Sequence, residues 1–327
     1  MAILVTGGAG YIGSHMVLKL LDQNEDVIVL DDLSTGHEWA VPKGVPFYRA
    51  DVADQNALAE VFSRHDIEAV LHFAGAIIVQ ESVEDPLRYY LQNACKSRTL
   101  VEFMVSRRVP HFVYSSSAAV YGAPGMEPVR ETAPYDPQSP YGTSKLVAEW
   151  MLRDVAASNP AFRYAALRYF NVAGADPLMR SGQSSRVSTH LIKIAAEAAL
   201  GKRKGLQIFG DDFPTPDGTC VRDYIHVADL IDVHYRTLEY LRSGGASLVA
   251  NCGYGSGYSV RQVIDAVKAV SGVDFEVFIA GRRPGDAAMI VADPGLARKT
   301  LGWSPGYEDL ELIVAHAIEW ERRLTER

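Results

Sequence analysis

The sequence predicts an α/β fold, a doubly wound parallel sheet with a smaller second α/β domain. In the first half of the chain, short runs rich in Val, Ile, Leu and Phe alternate with helical patterns. The runs are apolar almost throughout, as in strands that helices cover on both faces. After Asn171 the pattern loosens, and loops rich in Pro, Gly and Asp at 210–218 and 281–285 separate the helical stretches. The 327 residues, 48% of them hydrophobic, are enough for two joined domains.

The individual elements follow from the period of their apolar residues. Strands are predicted at 2–5, 27–31, 47–49, 69–73, 112–115 and 164–167. Helices are predicted at 14–21, 55–65, 85–107, 141–158, 188–200, 227–242, 259–271 and 307–323. In an open sheet of this kind, ligands bind beyond the carboxyl ends of the strands.

Composition and charge argue against several classes of function. The formal net charge of −8 disfavours a nucleic-acid partner. The three cysteines, Cys95, Cys220 and Cys252, are scattered, so neither a disulfide framework nor a metal site is expected. No apolar run reaches about 18 residues, and no basic segment followed by a long apolar one opens the chain. We therefore expect a cytoplasmic protein with no membrane partner.

A glycine-rich turn follows the first predicted strand. Gly7, Gly10 and Gly13 have the spacing G-x-x-G-x-x-G and open a predicted helix. Such a turn lets the backbone approach a pyrophosphate at the positive end of the helix, although the spacing alone also fits an ordinary tight turn. The next strand ends at Asp31, whose carboxylate can accept hydrogen bonds from ribose hydroxyls and, with Asp32, repel a 2′-phosphate. The sequence thus predicts a dinucleotide-binding (Rossmann) sheet that prefers NAD to NADP.

A tyrosine, a lysine and a serine form a second candidate site. Tyr141 and Lys145 lie four residues apart in a predicted helix and so share one of its faces. A lysine cation and an oxidised nicotinamide would lower the pKa of a tyrosine from about 10 and make it a general base. Ser117 follows the strand predicted at 112–115, where a hydroxyl can bond a reacting oxygen. Taken singly, the pair also fits a surface tyrosine beside a solvated lysine, and the serine fits a turn or helix cap.

Five motifs stand in an order that identifies a family. They are GGAGYIG at 7–13, SSSAAVYG at 115–122, SPYGTSK at 139–145, LRYFN at 167–171 and VRDYIHV at 221–227. Together they resemble the extended short-chain dehydrogenase/reductase family, and within it the UDP-sugar 4-epimerases, over nearly the whole chain. The resemblance implies reversible C4 epimerisation of UDP-glucose and UDP-galactose through a 4-keto intermediate, with transient hydride transfer to tightly bound NAD.

The resemblance also implies roles for individual residues. Tyr141 takes the proton of the 4-hydroxyl, Ser117 shares its hydrogen bond, and Lys145 holds the nicotinamide ribose. The other implied contacts with NAD are Gly7, Gly10, Tyr11, Ile12, Gly13, Asp31, Asp51, Val52, Phe73, Ala74, Gly75, Asn93 and Tyr169. The other implied contacts with the UDP-sugar are Asn171, Leu191, Gln207, Phe209, Arg222, Arg283, Asp286 and Ile290. On this basis 1–170 is the NAD-binding domain, to which the chain returns around 220–250, and 171–327 mainly binds the UDP-sugar.

Residues that differ from those of related families reduce the number of reactions that we expect from this chain. The 4,6-dehydratases and decarboxylases of this fold typically carry an acidic residue where Ala118 and Ala119 stand. A dehydratase needs a carboxylic acid to protonate the departing C6 hydroxyl, so epimerisation is favoured. Ile77 stands where a Lys is usual and His190 where an Asn is common, which leaves fine substrate specificity open. Ile290, at the position that walls the sugar pocket, predicts a preference for unacetylated sugars.

Two alternatives stay open, a UDP-pentose or UDP-uronate 4-epimerase on the same scaffold and a non-catalytic NAD-sensing protein. A uronate enzyme needs a positive group facing C6, and sensors tend to lose the Tyr/Lys pair. A homodimer is also expected, because the helices at 85–107 and 141–158 carry apolar residues on more than one side and the resemblance implies that they pair into a four-helix bundle. The residues concerned are Leu100, Phe103, Met104, Leu146, Val147, Trp150, Met151, Leu152 and Val155.

Overall fold

The computed structural model describes residues 1–185, 188–283 and 285–325, and it divides the chain into two compact units. The first unit consists of Met1–Val120, Pro137–Arg168 and Ile231–Ala250, and the second of Tyr121–Asp136, Tyr169–Leu230 and Asn251–Arg327. The units thus change at 168/169, and the chain returns to the first at 231–250. The segment at 121–136, placed by the sequence within 1–170, lies in the second unit. Which ligand each domain binds stays a prediction.

The strands and helices have the following bounds. The strands are β1 (Ala2–Thr6), β2 (Asp26–Asp31), β3 (Phe47–Arg49), β4 (Ile67–His72), β5 (His111–Ser117), β6 (Arg163–Tyr169), β7 (Asn171–Ala173), β8 (Gly205–Phe209), β9 (Val221–Arg222), β10 (Tyr224–His226), β11 (Leu248–Cys252), β12 (Tyr258–Ser259), β13 (Glu276–Ala280) and β14 (Met289–Ile290). The helices are α1 (Tyr11–Asp22), α2 (Gln55–Arg64), α3 (Val79–Glu84), α4 (Pro86–Tyr89), α5 (Lys96–Ser106), α6 (Pro140–Ser158), α7 (Leu191–Ala199), α8 (Val227–Arg242), α9 (Val260–Ser271), α10 (Gly295–Leu301) and α11 (Leu310–Arg323).

A seven-stranded sheet in the order β11-β6-β5-β4-β1-β2-β3 forms the centre of the first unit. The pairs β1–β2, β1–β4, β2–β3 and β4–β5 are parallel, and the predicted doubly wound parallel sheet is confirmed. The core contains side chains from five neighbouring strands, among them Leu30, Leu4, Val70, Phe112 and Ala166. The strand order reverses between β1 and β4, and such a switch point is where open α/β sheets bind ligands.

The described residues of the second unit form three small sheets, which pair β7 with β10, β8 with β13, and β9 with both β12 and β14. Helices α7, α9 and α11 pack against one another. The period of the apolar residues predicts these helices but none of these strands. Strands β9, β12 and β14 have two residues each, which is too few to show a period. Within the described residues, no helix has the length and hydropathy needed to cross a membrane.

The helix predicted at 85–107 is divided in the structure. It consists of α4, a π-helical turn at Tyr90–Cys95, and α5. A π-helical turn is rare and often marks a functional site. Asn93, one of the residues implied to contact NAD, lies in this turn.

Candidate active site

The glycine-rich turn joins β1 to α1. Gly7 has a φ of +70°, and a Cβ there would lie 2.6 Å from the Ala74 nitrogen. A Cβ on Gly13 would lie 2.1 Å from the Gly7 oxygen. Gly10 is the N-cap of α1, whose first residues are Tyr11 and Ile12. The strand, the turn and the helix therefore approach more closely than side chains would permit, and the start of α1 is open to an anion.

The carboxylate of Asp31 faces this turn from the end of β2. Its Oδ2 accepts a hydrogen bond from the Ala9 nitrogen at 2.9 Å, and its Oδ1 accepts one from the Leu33 nitrogen at 2.8 Å. Burial raises the pKa of Asp31 above its ordinary value, while these two hydrogen bonds lower it. Asp31 is thus fixed beside the glycine turn.

Asp51 and Val52 follow β3. The Asp51 carboxylate forms an ion pair with Lys96, the first residue of α5, and accepts a hydrogen bond from the Ala53 nitrogen at 2.8 Å. Val52 is buried in the core of the unit. The sequence assigns no role to Lys96, which here fixes the orientation of Asp51.

Asn93 ties the loop after β4 to helix α6. Its Oδ1 accepts from the Ala76 nitrogen at 2.8 Å, and its Nδ2 donates to the Ala76 oxygen and to Ser144 Oγ, both at 3.0 Å. A Cβ on Gly75 would lie 2.7 Å from Asn93 Oδ1 and 3.7 Å from Lys145 Nζ. The structure therefore brings Gly75, Asn93 and Lys145 together.

A buried hydrogen-bond chain connects β1 and β4 to α5 and the π-helical turn. The Ser97 hydroxyl donates to the Asn93 carbonyl at 2.7 Å, so its oxygen accepts from His72 Nε2 at 2.9 Å, and His72 Nδ1 accepts from Thr6 Oγ1 at 2.6 Å. Burial lowers the pKa of His72 to about 3, and the ring is neutral. Phe73, which follows His72, packs against the ring of His234, with 5.0 Å between the two ring centres.

Ser117, Tyr141 and Lys145 converge at the carboxyl end of β5. Ser117 is the last residue of β5 and is hydrogen-bonded to the side chain of Tyr141. The Ser139 hydroxyl caps α6 by accepting from the Gly142 nitrogen at 3.2 Å, which places Tyr141 in the first turn. Lys145 follows one turn later, and its Nζ donates to the Ser115 carbonyl at 2.8 Å.

Burial disfavours the charged forms of both Tyr141 and Lys145. Burial raises the pKa of Tyr141, and the hydrogen bond with Ser117 lowers it. Burial lowers the pKa of Lys145 to about 8, and the negative charge of Glu149 raises it. The lowering of the Tyr141 pKa that the sequence expects from Lys145 and a nicotinamide stays a prediction.

Cationic and aromatic residues lie together in the second unit. The Arg283 guanidinium stacks over the Phe209 ring at 3.6 Å. Arg222 Nη2 lies 3.7 Å from Asp286 Oδ1, and Arg222 is opposite Ile290 in the β9–β14 pairing. The structure therefore groups Arg222 with Asp286 and Ile290, and Arg283 with Phe209.

The remaining predicted residues of this unit are more dispersed. Asn171 and Leu191 line one small cavity together with His190. Tyr169 is buried at the end of β6, whereas Gln207 is exposed on β8. Sequence reasoning gave no role to Glu149 or Arg168, although Arg168 lies in the LRYFN motif and forms a buried ion pair with Glu149.

Comparison with known proteins places this geometry in context. The model of the NAD dependent epimerase/dehydratase family matches residues 3–253. A UDP-glucose 4-epimerase of Azospirillum brasilense is 50% identical over 322 residues, which cover 98% of this chain and 92% of the relative. The structure of UDP-glucose 4-epimerase from Brucella ovis in complex with NAD is 42% identical, with a TM-score of 0.94 and 97% of each chain covered. That from Bifidobacterium longum in complex with NAD⁺ and UDP is 38% identical, with a TM-score of 0.93 over 99% of this chain and 98% of that one.

Proposed function

The chain belongs to the NAD dependent epimerase/dehydratase family, and from this membership we propose that it interconverts UDP-glucose and UDP-galactose with NAD as a tightly bound cofactor. The reaction reversibly inverts C4 of the hexose through a 4-keto sugar. The observation that carries the proposal is the convergence of Ser117, Tyr141 and Lys145 at the end of β5. The relatives named for this activity support it.

The residues around the switch point fit NAD. The glycine turn presents the start of α1 to a pyrophosphate, with Gly7, Gly10, Tyr11, Ile12 and Gly13 around it. Asp31 accepts from the ribose hydroxyls and disfavours the 2′-phosphate of NADP. The other proposed contacts are Asp51, Val52, Phe73, Ala74, Gly75, Asn93, Lys145 and Tyr169. When bound, NAD supplies an oxidised nicotinamide that takes the C4 hydrogen of the sugar as hydride and returns it to the opposite face.

Tyr141 is the proposed general base. It takes the proton of the 4-hydroxyl as C4 is oxidised and returns it when the ketone is reduced. Ser117, already hydrogen-bonded to Tyr141, shares the bond to O4. Because burial disfavours the phenolate, a nearby cation is needed, and Lys145 one turn along the helix supplies it.

Two alanines favour epimerisation within a family that includes dehydratases. Ala118 and Ala119 form a 3₁₀ turn directly after Ser117. Neither side chain can protonate a departing C6 hydroxyl, which elimination requires.

The UDP-sugar is proposed to bind through residues of the second unit. The guanidinium groups of Arg222 and Arg283 offer paired donors to the two phosphates, which Arg binds bidentately. Phe209 offers an aromatic face to the uracil, and Ile290 beside Arg222 walls the sugar. The remaining proposed contacts are Asn171, Leu191, Gln207 and Asp286.

A homodimer and a cytoplasmic location complete the proposal. Several of the apolar residues on which the sequence argument for a dimer relies are buried within the unit itself: Leu100, Met104, Leu146 and Leu152. Large apolar residues that are exposed on the same helices include Leu87, Leu91 and Trp150. They are the proposed contact surface.

The test is turnover of UDP-galactose by the purified protein, with UDP-glucose formation followed by a coupled assay. A panel that adds UDP-pentoses, UDP-glucuronate and N-acetylated UDP-sugars ranks the substrates. We expect the hexoses to give the highest kcat/KM. Absence of C4 inversion with every UDP-sugar, in protein that contains NAD, would overturn the proposed function and favour an NAD sensor.

A further inference from the structure

A buried ion pair lies on the same face of α6 as Tyr141 and Lys145, one turn beyond Lys145. Glu149 stands one helical turn after Lys145. Arg168 on β6 donates to it with both arms of its guanidinium, Nε to Oε1 at 3.0 Å and Nη2 to Oε2 at 2.6 Å. The side chain of Arg168 is 0% exposed and that of Glu149 is 5% exposed. A fully buried bidentate pair is costly to desolvate, so its position calls for an explanation.

The same carboxylate is connected to the strand that carries Ser117. The Ser116 hydroxyl donates to Glu149 Oε1. The residue before it, Ser115, accepts from Lys145 Nζ at 2.8 Å through its carbonyl. Glu149 therefore fixes the same short segment of β5 from which Lys145 takes its hydrogen bond.

We propose that Glu149, held by Arg168 and Ser116, is a positioning residue that keeps the Lys145 ammonium charged and aligned with the end of β5. The inference rests on the proposed function for its kinetic consequence only. Glu149 lies four residues after Lys145 in α6, so its carboxylate is on the side of the helix that Lys145 occupies. Burial opposes the charge of Lys145, and the carboxylate of Glu149 is the charge that offsets it.

The other polar groups around Lys145 do not supply a negative charge. Its Nζ lies 4.9 Å from the centre of the Tyr114 ring, and the neutral His72 ring is close enough to feel its field. The titratable groups that interact with it are Glu149 on α6, Tyr114 on β5 and His72 on β4. Arg168 on β6 contacts Glu149. Among these described neighbours Glu149 is the anion.

The kinetic test is the pH profile of kcat/KM for Glu149→Gln. Without the carboxylate, Lys145 loses its proton more readily, so the alkaline loss of activity moves to lower pH by about one unit. Glu102→Gln is the matched control, because Glu102 also pairs with an arginine but is exposed on α5. Its profile should equal that of the wild type. A folded Glu149→Gln protein that keeps the wild-type midpoint and loses only thermal stability would show a purely structural pair and overturn the proposal.

A second measurement needs no activity. The pKa of Lys145 is about 8 when folded against 10.5 ordinarily, so between these values the unfolded state binds more protons. The free energy of unfolding contributed by Lys145 therefore rises with pH in this window. Thermal unfolding measures the free energy of unfolding of the wild type and of Lys145→Met. The difference between these two free energies should begin to rise near pH 8. In the Glu149→Gln background it should begin about one unit lower.

If the difference in the free energy of unfolding begins to rise at the same pH in the wild-type and Glu149→Gln backgrounds, the inference is overturned. This outcome can be read even if the protein proves to have no epimerase activity. If Glu149→Gln does not fold, Glu149→Asp takes its place in both measurements. This variant keeps the charge opposite Arg168 but withdraws it from Lys145 by one methylene. With Glu149→Asp, the alkaline midpoint of the kcat/KM profile and the onset of the free-energy difference should both move to lower pH, by less than with Glu149→Gln. Unchanged values contradict the proposal.

Discussion

At Tyr141 and Lys145, burial changes two pKa values in opposite directions. It raises that of the phenol and lowers that of the ammonium, because in each case the charged form loses hydration. Burial therefore disfavours the phenolate and the ammonium when each is charged alone. When both are charged, their attraction stabilises the pair. The hydrogen bond with Ser117 adds to the stabilisation of the phenolate.

Tyr141→Phe removes the phenolic hydroxyl and little else. We expect kcat to fall by about 10²–10⁴-fold, the usual contribution of a general base. Far-UV circular dichroism and NAD content should match the wild type. Tyr135→Phe, at an exposed position of the chain, is the control and should leave kcat unchanged. A Tyr141→Phe enzyme with a third of the wild-type kcat would remove Tyr141 from the role of base.

Ile290→Ser tests the wall of the proposed sugar site. Ile290 is branched at Cβ and stiff, and it lies opposite Arg222 in the β9–β14 pairing. Crowding of an acetamido group costs roughly 1–3 kcal/mol, or about 10- to 200-fold in rate. We expect the wild type to prefer UDP-galactose to UDP-GalNAc, and the variant to narrow the ratio of kcat/KM.

The adjacent Met289→Ser is the control for Ile290→Ser. Successive side chains of a strand point to opposite faces, so this variant should keep the wild-type ratio. Equal kcat/KM for the two substrates in the wild type would contradict the prediction. A ratio that Ile290→Ser leaves unchanged would show that Ile290 only packs in the interior.

Among the elements, those that the sequence predicts best are the long ones with a clear period. The apolar runs that became β1, β2, β4 and β5 are near-continuous because both faces of the sheet are covered. Strands β9, β12 and β14 have two residues each and carry no period. The π-helical turn at 90–95 was equally hidden, since its composition resembles that of the flanking helices.

For the candidate site, sequence motifs locate residues but not their partners. The glycine spacing and the Tyr/Lys pair can be recognised because each depends on neighbours along the chain. The ion pairs Lys96–Asp51 and Arg168–Glu149 join residues 45 and 19 positions apart. No local pattern records such a contact, which depends on how the strands are ordered in the sheet.

The glycine turn gives the sharpest prediction for a whole element. Gly13→Ala would bring a Cβ to 2.1 Å from the Gly7 oxygen, so the start of α1 must move away from the turn. We expect the variant to purify with little NAD, whereas denatured wild-type protein should release about one NAD per chain because the reaction regenerates its cofactor. Gly281→Ala is the control, since no atom of the described residues lies within 4 Å of its Cβ position. A Gly13→Ala protein with full NAD content would contradict the role of this turn.

On the scale of the whole molecule, three exposed apolar side chains lie on neighbouring helical segments of the first unit. Leu87 on α4 is 78% exposed, Leu91 in the π-helical turn 51%, and Trp150 on α6 42%. Leu87 and Leu91 are four residues apart and so share a face, and α6 packs against both of their segments. Exposed apolar side chains on neighbouring segments are what a protein–protein contact requires.

Leu87→Asp combined with Leu91→Asp should therefore dissociate the proposed homodimer. Burying a leucine side chain is worth about 1.5–3 kcal/mol, whereas a carboxylate brought into an apolar contact without a partner loses its hydration. Light scattering should give twice 35.8 kDa for the wild type at micromolar concentration and 35.8 kDa for the variant. Leu178→Asp, at a leucine that is 71% exposed in the second unit, is the control and should stay dimeric. A wild type that is monomeric under these conditions would rule out the dimer, and a dimeric double variant would place the contact elsewhere.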